Sequence, residues 1–172
     1  MNRAVGSVLI LLVLFGLGGC NEELGPLNEP SGFSGVIRFR HWPPVESIRE
    51  MRLVAFESVP TDSGGIIPML IAGKAAAYPP IGQDYLPTLV DSVHYEFTTA
   101  IGTNLQIKNY EYVAVMYQYG PNILSDWRPA GVFSSGPPAS QPAAVRVILH
   151  HVIPNIDIQV DFDSLPPIPW RP

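Results

Sequence analysis

The sequence predicts an all-β fold: a two-sheet antiparallel β-sandwich of seven to eight strands behind an N-terminal signal peptide. Three observations predict it. Apolar and polar residues alternate with a period of two in several short windows. The apolar runs are rich in β-branched and aromatic residues, which fit a pleated, half-buried surface. Most of the 19 prolines and 15 glycines fall between those runs and not in one tract, so they read as turns. They also interrupt most windows long enough for a helix, and no helix is expected.

The strands follow in order. Residues 35–40 form the first, with Ile37 and Phe39 on one face, and Trp42-Pro43-Pro44 ends it. Residues 50–58 form the second, apolar on both faces at its centre, as suits an interior strand. A loop over 59–67 turns around Asp62-Ser63-Gly64-Gly65, and residues 68–72 are a short strand candidate. Residues 73–88 read as loop, with Tyr78-Pro79-Pro80 and Gly82-Gln83-Asp84. Over 92–98, Val93, Tyr95 and Phe97 point inward while His94 and Glu96 point outward.

Residues 109–119 form the longest strand, with Tyr110, Tyr112, Ala114 and Met116 on one face. Val113, Val115, Tyr117 and Tyr119 take the other. A short strand over 130–134 follows Trp127-Arg128-Pro129, and 136–142 is turn-rich. Residues 144–150 and 155–163 are expected to close the fold as an antiparallel pair. In the last, Ile156, Ile158, Val160 and Phe162 face the core, and Asp157, Asp161 and Asp163 face solvent. Residues 165–172 form a proline-rich tail, expected to lie extended along a sheet edge or to act as a docking peptide.

The first 19 residues are not part of this pattern. Arg3 supplies a positive start, residues 4–15 are almost unbroken apolar sequence, and Gly16 to Gly19 are small-residue rich. This is the form of a secretory signal peptide. The apolar run falls short of the roughly 20 residues that span a bilayer. What remains, roughly 150 residues, is ample for one core.

Leu17-Gly18-Gly19-Cys20 resembles the bacterial lipobox, and the chain is identified on it as a bacterial lipoprotein. The resemblance implies cleavage between Gly19 and Cys20 and acylation of the Cys20 thiol. Several acyl chains make a stable membrane anchor where one does not. Cys20 is the only cysteine, so an exported chain has no partner for it in an internal disulfide. Residues 20–32 then read as a tether and 33–164 as the folded domain. Asn21-Glu22-Glu23 resembles the surface-export signal of Bacteroidetes lipoproteins, and reads equally as a solvated acidic start to the tether.

The strand order is similar to that of transthyretin-like and carboxypeptidase-regulatory-like sandwiches. Gly35-Val36-Ile37-Arg38-Phe39, the apolar run 51–56 and Lys108-Asn109-Tyr110-Glu111-Tyr112-Val113-Ala114-Val115 carry that resemblance. The third departs from the family at Lys108-Asn109, where a Pro-Gly pair is common. The resemblance implies architecture, and a stalk, adaptor or binding role, but no catalytic residue.

A net charge of −5 with only ten Lys and Arg leaves no footprint for nucleic acid. No phosphate-binding glycine loop, zinc-protease helix motif or nucleophile elbow occurs. None of His41, His94, His150 and His151 stands at a spacing that selects a catalytic set, and adjacent His150 and His151 point to opposite faces of a strand. Asp157, Asp161 and Asp163 offer oxygen ligands, but carboxylates two residues apart on a strand lie ~7 Å apart, too far to share a small ion. No catalytic residue, metal or cofactor is assigned.

The aromatic residues beside prolines carry the binding expectation. Trp42, Tyr78, Tyr85, Trp127 and Trp170 are placed in loops, where they cap the fold, anchor a protein partner or stack on a sugar ring. The segment 122–128 groups Ile123, Leu124, Asp126, Trp127 and Arg128. The expectation is a non-catalytic accessory or protein-interaction module of the bacterial envelope, held by lipid on Cys20, most naturally in the outer membrane. A surface carbohydrate-binding module is the alternative, and an unrecognised enzyme the third.

Overall fold

A computed structural model describes residues 29–61, 66–100, 103–136 and 141–170. The leader, Gly19, Cys20 and most of the tether lie outside the described residues, as do Asp62 to Gly65. The fold is all-β. Strands β1 (Gly32–Arg40), β2 (Glu50–Phe56), β3 (Ala75–Tyr78), β4 (Ser92–Thr98) and β5 (Asn109–Tyr110) come first. They are followed by β6 (Tyr112–Gln118), β7 (Trp127–Val132), β8 (Val145–Arg146), β9 (Val152–Ile153) and β10 (Ile158–Asp161). A short α-helix, α1 (Ile66–Ile71), lies between β2 and β3. Among the described residues, no helix is long and apolar enough to cross a membrane.

β1 is the middle of the first sheet. β4 lies on one side, antiparallel, with Gly32 opposite Thr98 and Arg38 opposite Ser92. β9 and β10 lie on the other, both parallel to β1, so the chain after residue 151 forms one interrupted edge strand. This corrects the expected antiparallel pairing of 144–150 with 155–163. β8 pairs instead with β5 as a small separate ladder. The second sheet runs β3-β2-β6-β7 and is antiparallel throughout.

The inner faces of the two sheets share one core. Phe33, Ile37 and Phe39 of β1, Tyr95 and Phe97 of β4, and Ile158 and Val160 of β10 meet Met51, Leu53, Val113, Val115 and Tyr117 of the second sheet. Each fully buried aliphatic or aromatic side chain contributes about 1.5–3 kcal/mol, which makes this cluster the main source of stability. At one edge the sheets almost join. Gly131 of β7 lies so close to β10 that a Cβ there would stand 2.4 Å from the Gln159 carbonyl oxygen. Only glycine permits that approach. The neighbouring Ala130 has no partner on β6, a one-residue bulge that bends β7 toward β10.

The outer face of the second sheet is covered as well. Val54, Phe56, Ala77, Tyr112, Ala114, Met116 and Trp127 form a second cluster there with Ile66 and Leu70 of α1. Trp170, in the proline-rich tail, packs on the same cluster, and Leu165 packs on the first. The tail thus passes over the seam between β7 and β10. Burial on both faces explains why β2 and β6 lack polar alternation.

Three local expectations are corrected. Residues 68–72 belong to α1 and the turn after it, not to a strand. A strand, β3, lies within the expected loop 73–88. Glu111 interrupts the long strand, so Tyr110 joins the inner core while Tyr112 faces the outer cluster.

Candidate functional site

The strands give the molecule two ends. At one, the chain enters β1 at Gly32, β6 begins at Tyr112, and β5 and β8 pair. At the other, β1 leaves at Arg40, and the chain turns from Gln118 of β6 to Trp127 of β7. β6 alone advances about 20 Å between them. Most residues expected to make contacts lie toward the second, far end.

The turn from β6 to β7 is a closed hydrogen-bonded unit. The Asn122 amide donates to the Asp126 carboxylate at 2.9 Å, and the Asp126 amide donates back to the Asn122 carbonyl at 2.9 Å. The Leu124 amide donates to the Asn122 side chain at 3.0 Å, and the Ser125 hydroxyl to Asp126 at 2.9 Å. Asp126 is therefore a structural member of the turn. Trp127 is not a loop residue: it opens β7, is 3% exposed, and donates its indole N–H to the Ile123 carbonyl at 2.7 Å. Arg128 is half-buried, and its Nε is shielded from solvent with no hydrogen-bond partner among the described residues. What the turn offers outward is Ile123 and Leu124, about half exposed at 50% and 55%, beside Tyr119.

Trp42 is half-buried and belongs to the packing. Its indole N–H donates to the Val90 carbonyl at 2.9 Å, and its ring stacks between Phe39 and Phe162. Phe162 meets Tyr117 edge-on, and Tyr117 meets Tyr119. One run of rings thus links Trp42 to the start of the turn.

Tyr78 and Tyr85 come together at a second place. With Pro79, Pro80, Gly82, Gln83 and Asp84 they line an open cavity of about 590 Å³. The loop is held by a buried cation. Arg52 donates to the carbonyls of Pro79, Pro80 and Gln83 at 2.6, 2.8 and 2.9 Å and pairs with Glu50. Burying a guanidinium is tolerable only with its donors used in this way. Tyr78 packs against Tyr95 and Phe97, whereas Tyr85 is about half exposed.

One expectation is corrected. The sequence sets the Asp161 and Asp163 carboxylates ~7 Å apart, but β10 ends at Asp161 and the chain turns there, the Asp163 amide donating to the Asp161 carboxylate at 3.0 Å. His41, which the sequence does not group with them, joins the pair. The ligand atoms of His41, Asp161 and Asp163 lie within 4.8 Å of one another. His41 Nδ1 stands 2.8 Å from Asp161 and 3.6 Å from Asp163. The hydrogen bond that His41 donates to Asp161, and then the charges of both carboxylates, raise the His41 pKa above 6.5, while the same bond lowers that of Asp161. The three are brought together by the parallel pairing of Arg40 with Asp161. All three are accessible, and the short contact is an ion pair across the end of the sheet. Asp157 is separate, bonded to Arg38 and to the Val36 amide, each at 2.9 Å. These bonds, the Arg38 one first, lower its pKa.

None of these arrangements joins a nucleophile, a base and an enclosed pocket. No family model, curated protein or solved structure matches the chain.

Proposed function

We propose that this protein is a lipid-anchored envelope lipoprotein that acts as a non-catalytic protein-interaction module. The observation that carries the reading is Leu17-Gly18-Gly19-Cys20 behind an apolar leader, in a chain with no other cysteine. The outer membrane is the expected address. The contact surface is the far-end turn, with Tyr119, Ile123 and Leu124 as its apolar members. A partner meeting a turn already fixed by its own hydrogen bonds loses little ordering entropy on binding. Trp127, Asp126 and Trp42 serve that surface by holding it, not by touching the partner.

The experiment is metabolic labelling with an alkyne fatty acid, followed by crosslinking in the native host. Labelling is expected for the parent protein and is lost in Cys20→Ala. A crosslinked protein should be recovered with the parent and lost in the double variant Ile123→Glu, Leu124→Glu. Label persisting in Cys20→Ala overturns the anchor, and a partner retained by the double variant overturns the contact surface.

A second reading, a small carbohydrate site, is favoured by the Tyr78–Tyr85 cleft with its flanking Gln83 and Asp84. A glycan array signal abolished by Tyr85→Ala supports it over the first.

A further inference from the structure

The near end carries an apolar surface that neither sheet uses. Ile107 is 52% exposed, Ile148 43% and Leu149 60%. They are neighbours because β5 pairs with β8 and the Val147 amide donates to the Lys108 carbonyl at 2.9 Å. With Lys108 and Arg146 they line one shallow depression. Ile71, 83% exposed, ends α1 two residues before Gly73, whose carbonyl accepts from the Lys108 ammonium at 2.7 Å. Both lysines of the chain, Lys74 and Lys108, lie here, although the protein is acidic overall. Lys108 also faces Glu57 at 3.4 Å, and Glu29 and the exposed Glu111 lie at the same end, so the charge of this end is mixed and the aliphatic tips are its distinguishing feature.

The start of the domain is fastened to this surface. The Gly32 amide donates to the His151 carbonyl at 2.9 Å, and the His150 amide donates to the Ser31 hydroxyl at 2.8 Å. His150 Nδ1 also stands 3.3 Å from the Glu29 carbonyl oxygen. Glu29 therefore sits beside His150, the residue after Leu149. Nine residue steps separate Cys20 from Glu29, and fully extended they reach no more than about 30 Å.

We propose that the near end, with Ile71, Ile107, Ile148 and Leu149 flanked by Lys74, Lys108 and Arg146, lies on the bilayer that holds the lipid of Cys20. The inference rests on the lipoprotein reading and adds an orientation to it. Aliphatic side chains enter the headgroup boundary, and the cations meet anionic headgroups. The chain makes the surface local to the bilayer, so weak individual contacts act at high effective concentration.

The test uses the full lipidated protein with Leu149→Cys, the Cys20 thiol being blocked by lipid. An environment-sensitive dye at position 149 is read in vesicles of phosphatidylethanolamine and phosphatidylglycerol, with and without lipids bearing a nitroxide quencher. The same dye is placed at the far end through Leu124→Cys. The dye at 149 should shift to the blue and lose about half its emission to the quencher, as a side chain 5–10 Å into the boundary would. The dye at 124 should keep its aqueous spectrum. Aqueous emission at both positions in vesicle-bound protein overturns the orientation alone. Protein that does not float with vesicles, and whose Cys20 stays open to thiol reagents, overturns the anchor and the orientation together. A blue shift at 149 without quenching assigns the surface to a protein contact and also overturns the proposal.

Discussion

The loops at both ends of the molecule are fastened by polar side chains, but they present different groups outward. At the far end each loop is fastened by a buried or shielded polar group: Arg52 fastens 79–83, Trp127 and Asp126 fasten 122–126, and the Trp42 indole fastens the segment at Val90. Charge there is of both signs, with Asp84, Asp126, Asp161 and Asp163 beside Arg40, Arg49, Arg52 and Arg128. At the near end Ser31, Thr103 and Tyr110 fasten the backbone, but the aliphatic tips of Ile71, Ile107, Ile148 and Leu149 stay open beside both lysines. A turn fixed by its own hydrogen bonds suits a specific contact. An end with four open aliphatic tips among charges of both signs suits a surface without detailed shape.

The largest way to break this contrast is Arg52→Met. It removes three hydrogen bonds to loop carbonyls and leaves Glu50 without its partner, for a loss of about 3 kcal/mol in chemical denaturation. Loop 79–86 should then be cut by protease before global unfolding, while the near end is unchanged. A variant as stable as the parent would show that the buried cation does not hold the far end.

Trp127→Phe is smaller. It deletes the indole donor to Ile123 and keeps most of the apolar volume, at a cost of about 1 kcal/mol. Hydrogen exchange at the Ser125 and Asp126 amides should speed up, because both donate to the Asn122 carbonyl in the turn that Trp127 steadies.

The smallest effect is the pH response of the exposed His41–Asp161 pair. The His41 pKa is raised, so its contribution is complete below the unfolded value of 6.5 and is lost as pH climbs through the folded value. The Asp161 pKa is lowered, so its contribution is complete above 3.8 and is lost as pH falls through the folded value. The pair therefore acts fully between these limits. The imidazole resonances should titrate above 6.5 and return toward it in Asp161→Asn. An unchanged midpoint in that variant would show that the pair does not form in solution.

The sequence made the strands legible where burial is one-sided or complete. β4 shows the alternation directly, and β2 shows the two-sided apolar run of an interior strand. β3 escaped because Ala75-Ala76-Ala77 has neither branched nor aromatic residues, and its strand is set by Val54 and Ala55 opposite it. The run Ile66-Ile67-Pro68-Met69-Leu70-Ile71 is too short for period to separate helix from strand. β10 alternates as expected, yet alternation is the same for parallel and antiparallel partners, so its direction was hidden.

The same limit hid the His41 cluster, whose members meet only through that parallel register. The sequence places Trp127 in a loop beside Pro129. The structure puts the proline inside β7, the edge strand of its sheet, where a missing N–H is tolerated.

The central claim is that one end meets a partner and the other the bilayer. A photo-reactive amino acid placed in turn at positions 124 and 149 of the lipidated protein, and irradiated in the native host, tests it directly. The expected result is a discrete protein adduct from 124 and lipid adducts alone from 149. Protein adducts from 149 with none from 124 would contradict it.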